Sequence, residues 1–543
     1  MLQALTTQQS QWVDKTLSGL SLEEAVGQLL CISQFNDSMD YWLPLMEKVP
    51  FGAARARSET AEGYRSFLSE LQQHAAIPLL VPANMEHGAA ELRGYGTEFP
   101  WSMGIGAAND EVLVATMGEA IATEARYVGV NWLFNPVIDL NYNFNNPITN
   151  IRSMGDDPAR VSRLATIWLQ AMQQRGVAAT AKHFPGDGID DRDQHLITTI
   201  NSLPFDQWLE TYGVVWKAVI DAGVMCIMPG HIALPDYQGY QAHPEDAPPA
   251  TISRKILVDL LRQELGYDGL IVSDNASMIG FTTRAKAEDL VVESIAAGID
   301  IYLNAVPEHD FDRLLQGVHD GRVSEDRIYE AAKRVLEMKA RLNLFEDVTV
   351  SAPSQEQQVR FQDAAQAMAD KSITVLRAGD DLAFDIQGGE KALTVTIGNL
   401  APHMGHGDLD VFDQELRERG LQVEHLLNPT SDELRQKAED VDLIFVNLDN
   451  IPFATLANIR VTDTFRTWGW RSIYRTHPKV AYTAFGSPYV LHELPPVPRL
   501  LGAYGNSGCS QRAAVKVLLG EIEPVGTLPV RMPKVEIKRW PID

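Results

Sequence analysis

Short apolar runs alternate with longer amphipathic segments over about the first 345 residues, and this alternation strongly constrains the fold. Eight of the runs predict buried strands, at 27–33, 50–54, 78–83, 131–136, 177–183, 224–229, 269–273 and 299–303. Helical patterns lie between most of them, for example over 204–222 and 253–265. Strands that alternate with helices form parallel sheets, and eight such units predict an N-terminal (β/α)8 barrel of the TIM type.

A second alternating block follows the predicted barrel, after residues 328–377, which have the pattern of two helices around an acidic, proline-containing break. In this block, strands are predicted near 391–398, 421–427, 442–447, 479–484 and 499–503, and helices near 411–419, 430–439 and 510–520. A chain of 543 residues is also longer than one hydrophobic core usually supports. We therefore expect a barrel over 1–348, a helical linker over 349–376 and a C-terminal α/β sandwich domain over 377–543.

The charge and cysteine content narrow the class of protein. The net charge of −26 argues against nucleic acid or an anionic membrane as the main partner. The three cysteines are far apart and show neither a disulfide framework nor a zinc spacing. The first residues lack the pattern of a signal peptide, and no apolar run approaches the length of a membrane span. These features predict a cytoplasmic enzyme with no metal or other cofactor.

Polar side chains stand at the ends of two predicted barrel strands. Lys182 and His183 end one strand and are followed by a Gly- and Asp-rich loop that carries Asp193 and His195. Another strand stops at Asp274. The carboxyl ends of barrel strands are where catalytic groups lie, and a carboxylate there needs partners. Each feature alone is common in ordinary structure, but together they predict a site that binds a polar substrate and transfers protons.

These motifs resemble glycoside hydrolase family 3, specifically its β-N-acetylglucosaminidase branch. In the barrel they are F-P-W-S at 99–102, N-P-V-I-D at 135–139, N-N-P-I-T-N-I-R-S-M-G at 145–155, K-H-F-P-G-D-G at 182–188, D-Q-H at 193–195, M-P-G-H at 228–231 and V-S-D-N at 272–275. The second block matches more loosely, through F-G-S-P-Y at 485–489 and G-T-L-P-V at 526–530. The resemblance thus covers nearly the whole chain.

The resemblance implies a retaining, exo-acting β-N-acetylhexosaminidase that works through a covalent glycosyl-enzyme. Asp274 is then the nucleophile and His195 the acid/base, with Asp193 holding the imidazole because it alone has the D-x-H spacing. Imidazole suits this exchange because it titrates near neutral pH. The loop 186–197 has few apolar residues to anchor it, so we expect it to move and to close over the sugar.

The resemblance also implies that Arg152, Lys182 and His183 bind sugar hydroxyls. One departure concerns Asn84, which stands where the family usually has an aspartate in a D-x-E-G-like motif. A carboxylate accepts two hydroxyl hydrogens, whereas an amide accepts one and donates one. Two explanations stay open: the sugar differs in configuration or carries a carboxylate in a more positive pocket, or a neighbour such as Glu86 compensates.

Several further assignments stay open at this stage. Asp139 either reaches the site or partners Lys182 or Arg152. The run 403–408 (H-M-G-H-G-D) is interpreted as a solvated loop rather than a metal cluster. Phosphorolysis, a β-glycosidase of shifted sugar specificity and a catalytically silent sugar-binding protein are the alternatives to hydrolysis of an amino sugar. The expected partner is a small carbohydrate, with no nucleic acid and no membrane, and a homodimer is compatible with these features.

Overall fold

Eight parallel strands follow one another in chain order in the N-terminal part of the protein. The computed structural model describes residues 2–34, 36–56, 58, 60–92, 94–346, 350–378, 382–398, 409–452, 460–461 and 464–533. The eight strands are β1 (Leu30–Ser33), β2 (Ala53–Arg55), β3 (Pro82–Ala83), β4 (Trp132–Leu133), β5 (Ala178–Phe184), β6 (Cys226–Pro229), β7 (Leu270–Ile271) and β8 (Tyr302–Ala305). Each of them overlaps one of the eight predicted runs.

Hydrogen bonding runs around these strands as a ring. One sheet has the order β8–β1–β2, and the other has the order β3–β4–β5–β6–β7. Parallel bridges Ala53–Leu80 and Val272–Ile301 join the two sheets at both junctions. Side chains from alternate strand positions form one buried cluster inside the ring, which includes Cys31, Trp132, Cys226 and Leu270. The other positions pack against the surrounding helices. The predicted barrel architecture is confirmed.

The helices around the ring begin and end at residues suited to those positions. Asp157 accepts a hydrogen bond from the Ala159 amide at the start of the helix Pro158–Gln174. Gly176 and Gly223, both with positive φ, follow the ends of this helix and of Val214–Asp221. The helices are Thr7–Gly19, Leu22–Gln28, Met39–Lys48, Ala61–His74, Ser102–Ala108, Glu111–Tyr127, Pro158–Gln174, Phe205–Trp208, Val214–Asp221, Pro235–Gln238, Ile279–Thr282, Leu290–Ala297, Asp310–His319 and Glu325–Arg341.

Segments with other helical geometry complete this layer. The 3-10 turns are Ala89–Glu91, Asn150–Arg152, Pro244–Asp246 and Ala250–Ile252, and the π-helical segments are Leu209–Gly213 and Lys255–Glu264. Outside the ring, the short strands Thr199–Ile200 and Ile232–Ala233 pair in parallel. None of the helices in the described parts of the chain is both long and apolar enough to cross a membrane.

The second sheet has six strands: β9 (Thr374–Arg377), β10 (Lys391–Gly398), β11 (Gln422–Leu427), β12 (Leu443–Asp449), β13 (Val480–Ala484) and β14 (Leu500–Gly502). Their order is β9–β14–β13–β12–β10–β11, and all neighbours are parallel except β9 and β14. Its helices are Asp410–Glu418, Ser431–Ala438 and Gly508–Leu518, with 3-10 turns at Trp468–Arg471, Ile473–Arg475 and Pro488–His492. The predicted α/β sandwich and the five predicted strands are confirmed.

One sequence-based assignment in this region was wrong. The prediction placed 328–377 in two helices, but the second of them, Gln355–Ser372, ends before β9. The T-V-L-R run instead pairs antiparallel with β14 at the edge of the sheet, a tertiary contact that overrides the local pattern. The run 403–408 lies outside the described residues, and the domain boundaries at 348 and 376 stay predictions.

The helix Gln355–Ser372 contacts both parts of the molecule. Arg360 on this helix forms an ion pair with Glu119 of a barrel helix at 2.7 Å. Asp370 on the same helix pairs with Lys516 of the second sheet's helix at 2.8 Å. The predicted linker is thus a packed element between the two sheets.

The second part of the chain also packs against the barrel segment that carries Arg152. The amide of Asp156 donates to the carbonyl of Pro529 at 3.2 Å, and the amide of Arg531 donates to the Asp156 carboxylate at 2.8 Å. Buried apolar side chains from both parts form one cluster, made of Met103, Ala107, Ile151, Ile451, Tyr489, Tyr504 and Val530. The segment preceding and following Arg152 is therefore supported from the second domain.

Candidate active site

Asp274 lies three residues beyond the end of β7 and is almost completely buried. Its carboxylate accepts a hydrogen bond from the amide of Asn275 at 2.7 Å. Burial by itself would raise the pKa of Asp274, but the nearby His183, His231 and His195, together with this amide, hold the pKa below its usual value. The site therefore contains a buried carboxylate that stays ionised, surrounded by three imidazoles.

His195 is held by Asp193, as the D-x-H spacing predicted. The imidazole Nδ1 lies 2.7 Å from Oδ1 of Asp193, and the same oxygen accepts from the His195 amide at 2.8 Å. Asp193 is buried, whereas the side chain of His195 is about one quarter exposed. A carboxylate is an acceptor, so the contact favours the tautomer with the proton on Nδ1 and leaves Nε2 free to exchange a proton.

Glu86 joins two of the predicted sugar-binding cations. Its carboxylate accepts a forked pair of bonds from Arg152, Nε and Nη2 both at 2.8 Å, and it lies 2.8 Å from Nζ of Lys182. Burial alone would raise the pKa of Glu86, but the charges and hydrogen bonds of Arg152 and Lys182 hold it well below its usual value. The pocket therefore carries two cations and at least one ionised carboxylate between them.

Asp139 holds the third predicted sugar-binding residue. Its Oδ2 lies 2.7 Å from Nδ1 of His183, and its Oδ1 accepts from the amides of His183 at 3.1 Å and Asp187 at 2.8 Å. Its hydrogen bonds thus go to neither Lys182 nor Arg152, the partners suggested by the sequence. Burial lowers the pKa of Arg152, but Glu86 and the charges of Asp139 and Asp274 raise it above the usual value, so Arg152 lies within electrostatic reach of the candidate nucleophile.

Asn84 lies one residue beyond β3 and is half-buried. No side-chain hydrogen bond of Asn84 is found among the described residues, so its amide is available to a ligand. Glu86, two residues later, already neutralises one of the two cations. The expectation of a pocket that is more positive because the aspartate is missing stays a prediction.

His231 belongs to the site, although no role followed from its sequence position. Its Nε2 lies 3.0 Å from the Asn275 carbonyl, and its Nδ1 lies 3.0 Å from the Thr251 hydroxyl. The ring also stacks on Phe281. Because a carbonyl only accepts, Nε2 donates, and burial lowers the pKa of His231 in favour of this neutral form. The available signal was the M-P-G-H run, which places His231 just after β6.

Besides Asn84, six residues were predicted to be catalytic or to bind the sugar. All six are linked by contacts or by electrostatic interactions around one end of the ring. The loop before Arg152 is ordered by Asn146, whose Oδ1 accepts from the amides of Ile148 and Thr149 at 2.9 and 2.7 Å. No group of three or more His, Cys, Asp or Glu side chains is arranged to hold a metal ion within the portion of the chain described.

Comparison with known proteins agrees with this geometry. The model of the glycosyl hydrolase family 3 N-terminal domain matches residues 21–338, which is more than half of the chain. A β-N-acetylglucosaminidase/β-glucosidase from Cellulomonas fimi is 32% identical over 540 residues, covering 96% of this chain and 95% of that protein.

Two solved structures are similar over nearly their full length. The β-glucoside phosphorylase BglX bound to 2FGlc has a TM-score of 0.88 and 30% identity, covering 97% of each chain. A family 3 β-N-acetylglucosaminidase from Paenibacillus sp. str. FPU-7 has a TM-score of 0.84 and 27% identity, covering 95% of this chain and 99% of that one. With the match of sequence, barrel and strand-end residues, this chain belongs to glycosyl hydrolase family 3.

Proposed function

We propose that this protein is an exo-acting, retaining β-N-acetylhexosaminidase that releases a terminal β-linked N-acetylglucosamine or a closely related sugar. The observation that carries the proposal is the combination of a buried, ionised Asp274 with an imidazole, His195, held through Nδ1 by a buried carboxylate. The Cellulomonas fimi and Paenibacillus relatives are both named as β-N-acetylglucosaminidases, which supports the choice of sugar.

The proposed reaction has two displacements. Asp274 attacks C1 of the sugar and forms an ester, while His195 gives the proton on Nε2 to the departing glycosidic oxygen. In the second step, His195 takes a proton from water, and the resulting oxygen nucleophile displaces Asp274 from C1. Asp193 stabilises the imidazolium that is present before the first step and after the second. Two inversions at C1 give net retention.

Arg152, Lys182 and His183 bind hydroxyls of the sugar in this proposal. Their partners Glu86 and Asp139 hold these side chains in fixed positions, and pre-positioned groups lose little conformational entropy when the sugar binds.

Replacement of the nucleophile tests the proposal. Asp274→Asn cannot form the ester, so we expect kcat on aryl β-N-acetylglucosaminides to fall by more than about 10⁴-fold while the protein stays folded. Asp191→Asn, an exposed aspartate of the 186–197 loop, is the matched control and should keep its activity. Near wild-type turnover by Asp274→Asn, or a first product of inverted configuration by NMR, would show that the assignment is wrong.

Phosphorolysis is the second candidate, and two observations favour it. The proposed acid/base is an imidazole, which is neutral when it acts as a base and so does not repel a phosphate acceptor as a carboxylate would. One of the similar structures is also that of a β-glucoside phosphorylase. Adding inorganic phosphate decides between the candidates: a sugar 1-phosphate as the main product supports phosphorolysis, and free sugar alone supports hydrolysis. Sugar binding without turnover of any aryl glycoside would instead indicate a silent binding protein.

We also propose a cytoplasmic location. The three cysteines, Cys31, Cys226 and Cys509, are free and buried, a state typical of proteins kept in a reducing compartment. Cell fractionation with an antibody against the protein tests this, and recovery from a secreted fraction would contradict it.

A further inference from the structure

Gln194, the residue between Asp193 and His195, is almost fully buried and its side chain forms two hydrogen bonds. Its Nε2 donates to Oδ2 of Asp187 at 3.1 Å. Its Oε1 accepts from the backbone amide of His231 at 3.0 Å. The carboxamide therefore connects the segment that carries His195 to two other parts of the site.

The first of these parts is the loop that follows β5. Asp187 is buried, and its Oδ1 accepts from the amide of Gly188 at 2.6 Å and from Nδ2 of Asn146 at 2.8 Å. Its own amide donates to Asp139, the residue that holds His183. Gln194 thus binds a carboxyl group that is itself fixed by several hydrogen bonds. Through the amide of Asp187, the same residue is joined to Asp139 and so to His183.

The second part leads to the candidate nucleophile. The imidazole of His231 contacts the carbonyl of Asn275 at 3.0 Å, and the amide of Asn275 donates to Asp274 at 2.7 Å. A continuous path of hydrogen bonds and covalent links thus runs from Gln194 through His231 to Asp274.

We infer that Gln194 is a positioning residue that sets the placement of His195 relative to Asp274. The inference rests on the proposed function, in which these two side chains act on opposite faces of C1. The side chain of His195 is about one quarter exposed, so packing constrains it less than a fully buried side chain. The amide of Ile279 donates to the carbonyl of His195 at 2.9 Å, and the buried side chain of the adjacent Gln194 adds two further bonds from this segment to the site. Proton transfer requires a donor within hydrogen-bond distance of the leaving oxygen.

A carboxamide is suited to this role because the position needs one donor and one acceptor. Gln194→Glu keeps an acceptor for the His231 amide but places a second carboxylate against Asp187. Gln194→Met keeps the length of the side chain and removes both bonds. Gln238→Met is a matched control: Gln238 is also buried, accepts from the Leu234 amide at 2.8 Å and donates to Ser253, at a different position in the barrel.

The experiment compares leaving groups on the aryl β-glycoside that the wild type cleaves best. A phenyl leaving group needs protonation by the acid, whereas 2,4-dinitrophenol leaves without it. We expect Gln194→Met and Gln194→Glu to lose about 10²-fold in kcat/KM on the phenyl glycoside and less than about fivefold on the dinitrophenyl glycoside. Gln238→Met should change kcat/KM by the same factor for the two substrates. An equal loss on both substrates in the Gln194 variants, or no loss, would overturn the inference.

A second measurement separates this inference from the proposed function. In the wild type, NMR of the imidazole should show a slowly exchanging Nδ1 proton on His195, protected by the contact with Asp193. We expect this signal to be lost in Gln194→Met and kept in Gln238→Met, whether or not any glycoside is turned over. A signal retained in both variants contradicts the positioning role, whereas a wild type that cleaves no aryl glycoside contradicts the proposed function alone.

Discussion

At the scale of single residues, the charge balance of the pocket depends on Glu86. This carboxylate lies between Arg152 and Lys182, and all three side chains are largely buried. A buried cation that loses its partner is costly, commonly by several kcal/mol. The sequence alone suggested Glu86 only as a neighbour that compensates for Asn84, whereas the structure makes it the residue that allows both cations to be present.

Replacing Glu86 should therefore destabilise the protein in a pH-dependent way. We expect Glu86→Gln to lower the free energy of unfolding at pH 7 by about 3 kcal/mol. The pKa of Glu86 is held below the unfolded value of about 4.3. Its contribution is thus complete above that pH and is lost as the pH falls through the folded pKa, so the deficit of the variant should shrink in acid. Urea unfolding at pH 7 and at a series of pH values below 4 measures this.

Glu330→Gln serves as the control for this prediction. Glu330 also pairs with arginine, but its side chain is about half exposed. We expect a loss below about 1 kcal/mol, because water screens exposed ion pairs. Equal losses of unfolding free energy at the two positions would show that burial does not determine the contribution of Glu86 to stability.

Asn84 should contribute to selectivity for the sugar through hydrogen bonds rather than through net charge. We expect Asn84→Asp to change the preference among aryl β-glycosides, measured as the ratio of their kcat/KM values, by about five- to hundred-fold, since a buried unmatched polar group costs about 1–3 kcal/mol. The measurement is a panel of aryl β-glycosides of N-acetylglucosamine, N-acetylgalactosamine, glucose and glucuronic acid. An unchanged order of preference would mean that Asn84 does not contact the sugar.

At the scale of elements, the eight barrel strands were predictable because each is a short apolar run bounded by turn residues. The positions of Lys182 and Asp274 followed from the rule that catalytic groups lie at the carboxyl ends of such strands. Strand β9 was not predictable, because the strand with which it pairs, β14, is more than a hundred residues away. The hydrogen bonds of Glu86, Asp139 and Gln194 could not be predicted from the sequence either, since they join segments that only the closed ring brings together.

The loop 186–197 is anchored by polar rather than apolar side chains. Asp187, Asp193 and Gln194 are buried and hydrogen-bonded, whereas Leu196 and Ile197 are 42% and 45% exposed. We expect the peptide around Leu196 to exchange its amide hydrogens faster than β5 in the free protein and more slowly once N-acetylglucosamine is bound. Hydrogen exchange read by mass spectrometry tests this, and protection equal to that of β5 in both states would contradict closure.

At the scale of the whole molecule, the second domain supports the segment that carries Arg152. Ile151 is buried in the apolar cluster shared by the two parts. We expect Ile151→Ala to lower the free energy of unfolding by about 2–5 kcal/mol and to raise KM several-fold with little change in kcat, because Arg152 follows it directly.

The matched variant Ile328→Ala removes an equally buried isoleucine from the helix Glu325–Arg341. It should destabilise the protein by a similar amount and leave KM unchanged. Thermal unfolding and steady-state kinetics on both variants make the comparison. If KM rises equally in both, the effect is one of general stability, and the second domain does not influence sugar binding.

The helix Gln355–Ser372 packs against both the barrel and the second domain. Arg360 on this helix forms an ion pair with the barrel, and Asp370 forms one with a helix of the second domain. When the barrel unfolds, the second sheet loses one of its own packing surfaces, so we expect the two parts to unfold together. A sugar that binds only at the barrel then raises the melting temperature of the entire chain. The unfolding temperature of the second domain, which buries Trp470, then becomes a measure of the sugar bound at Asp274.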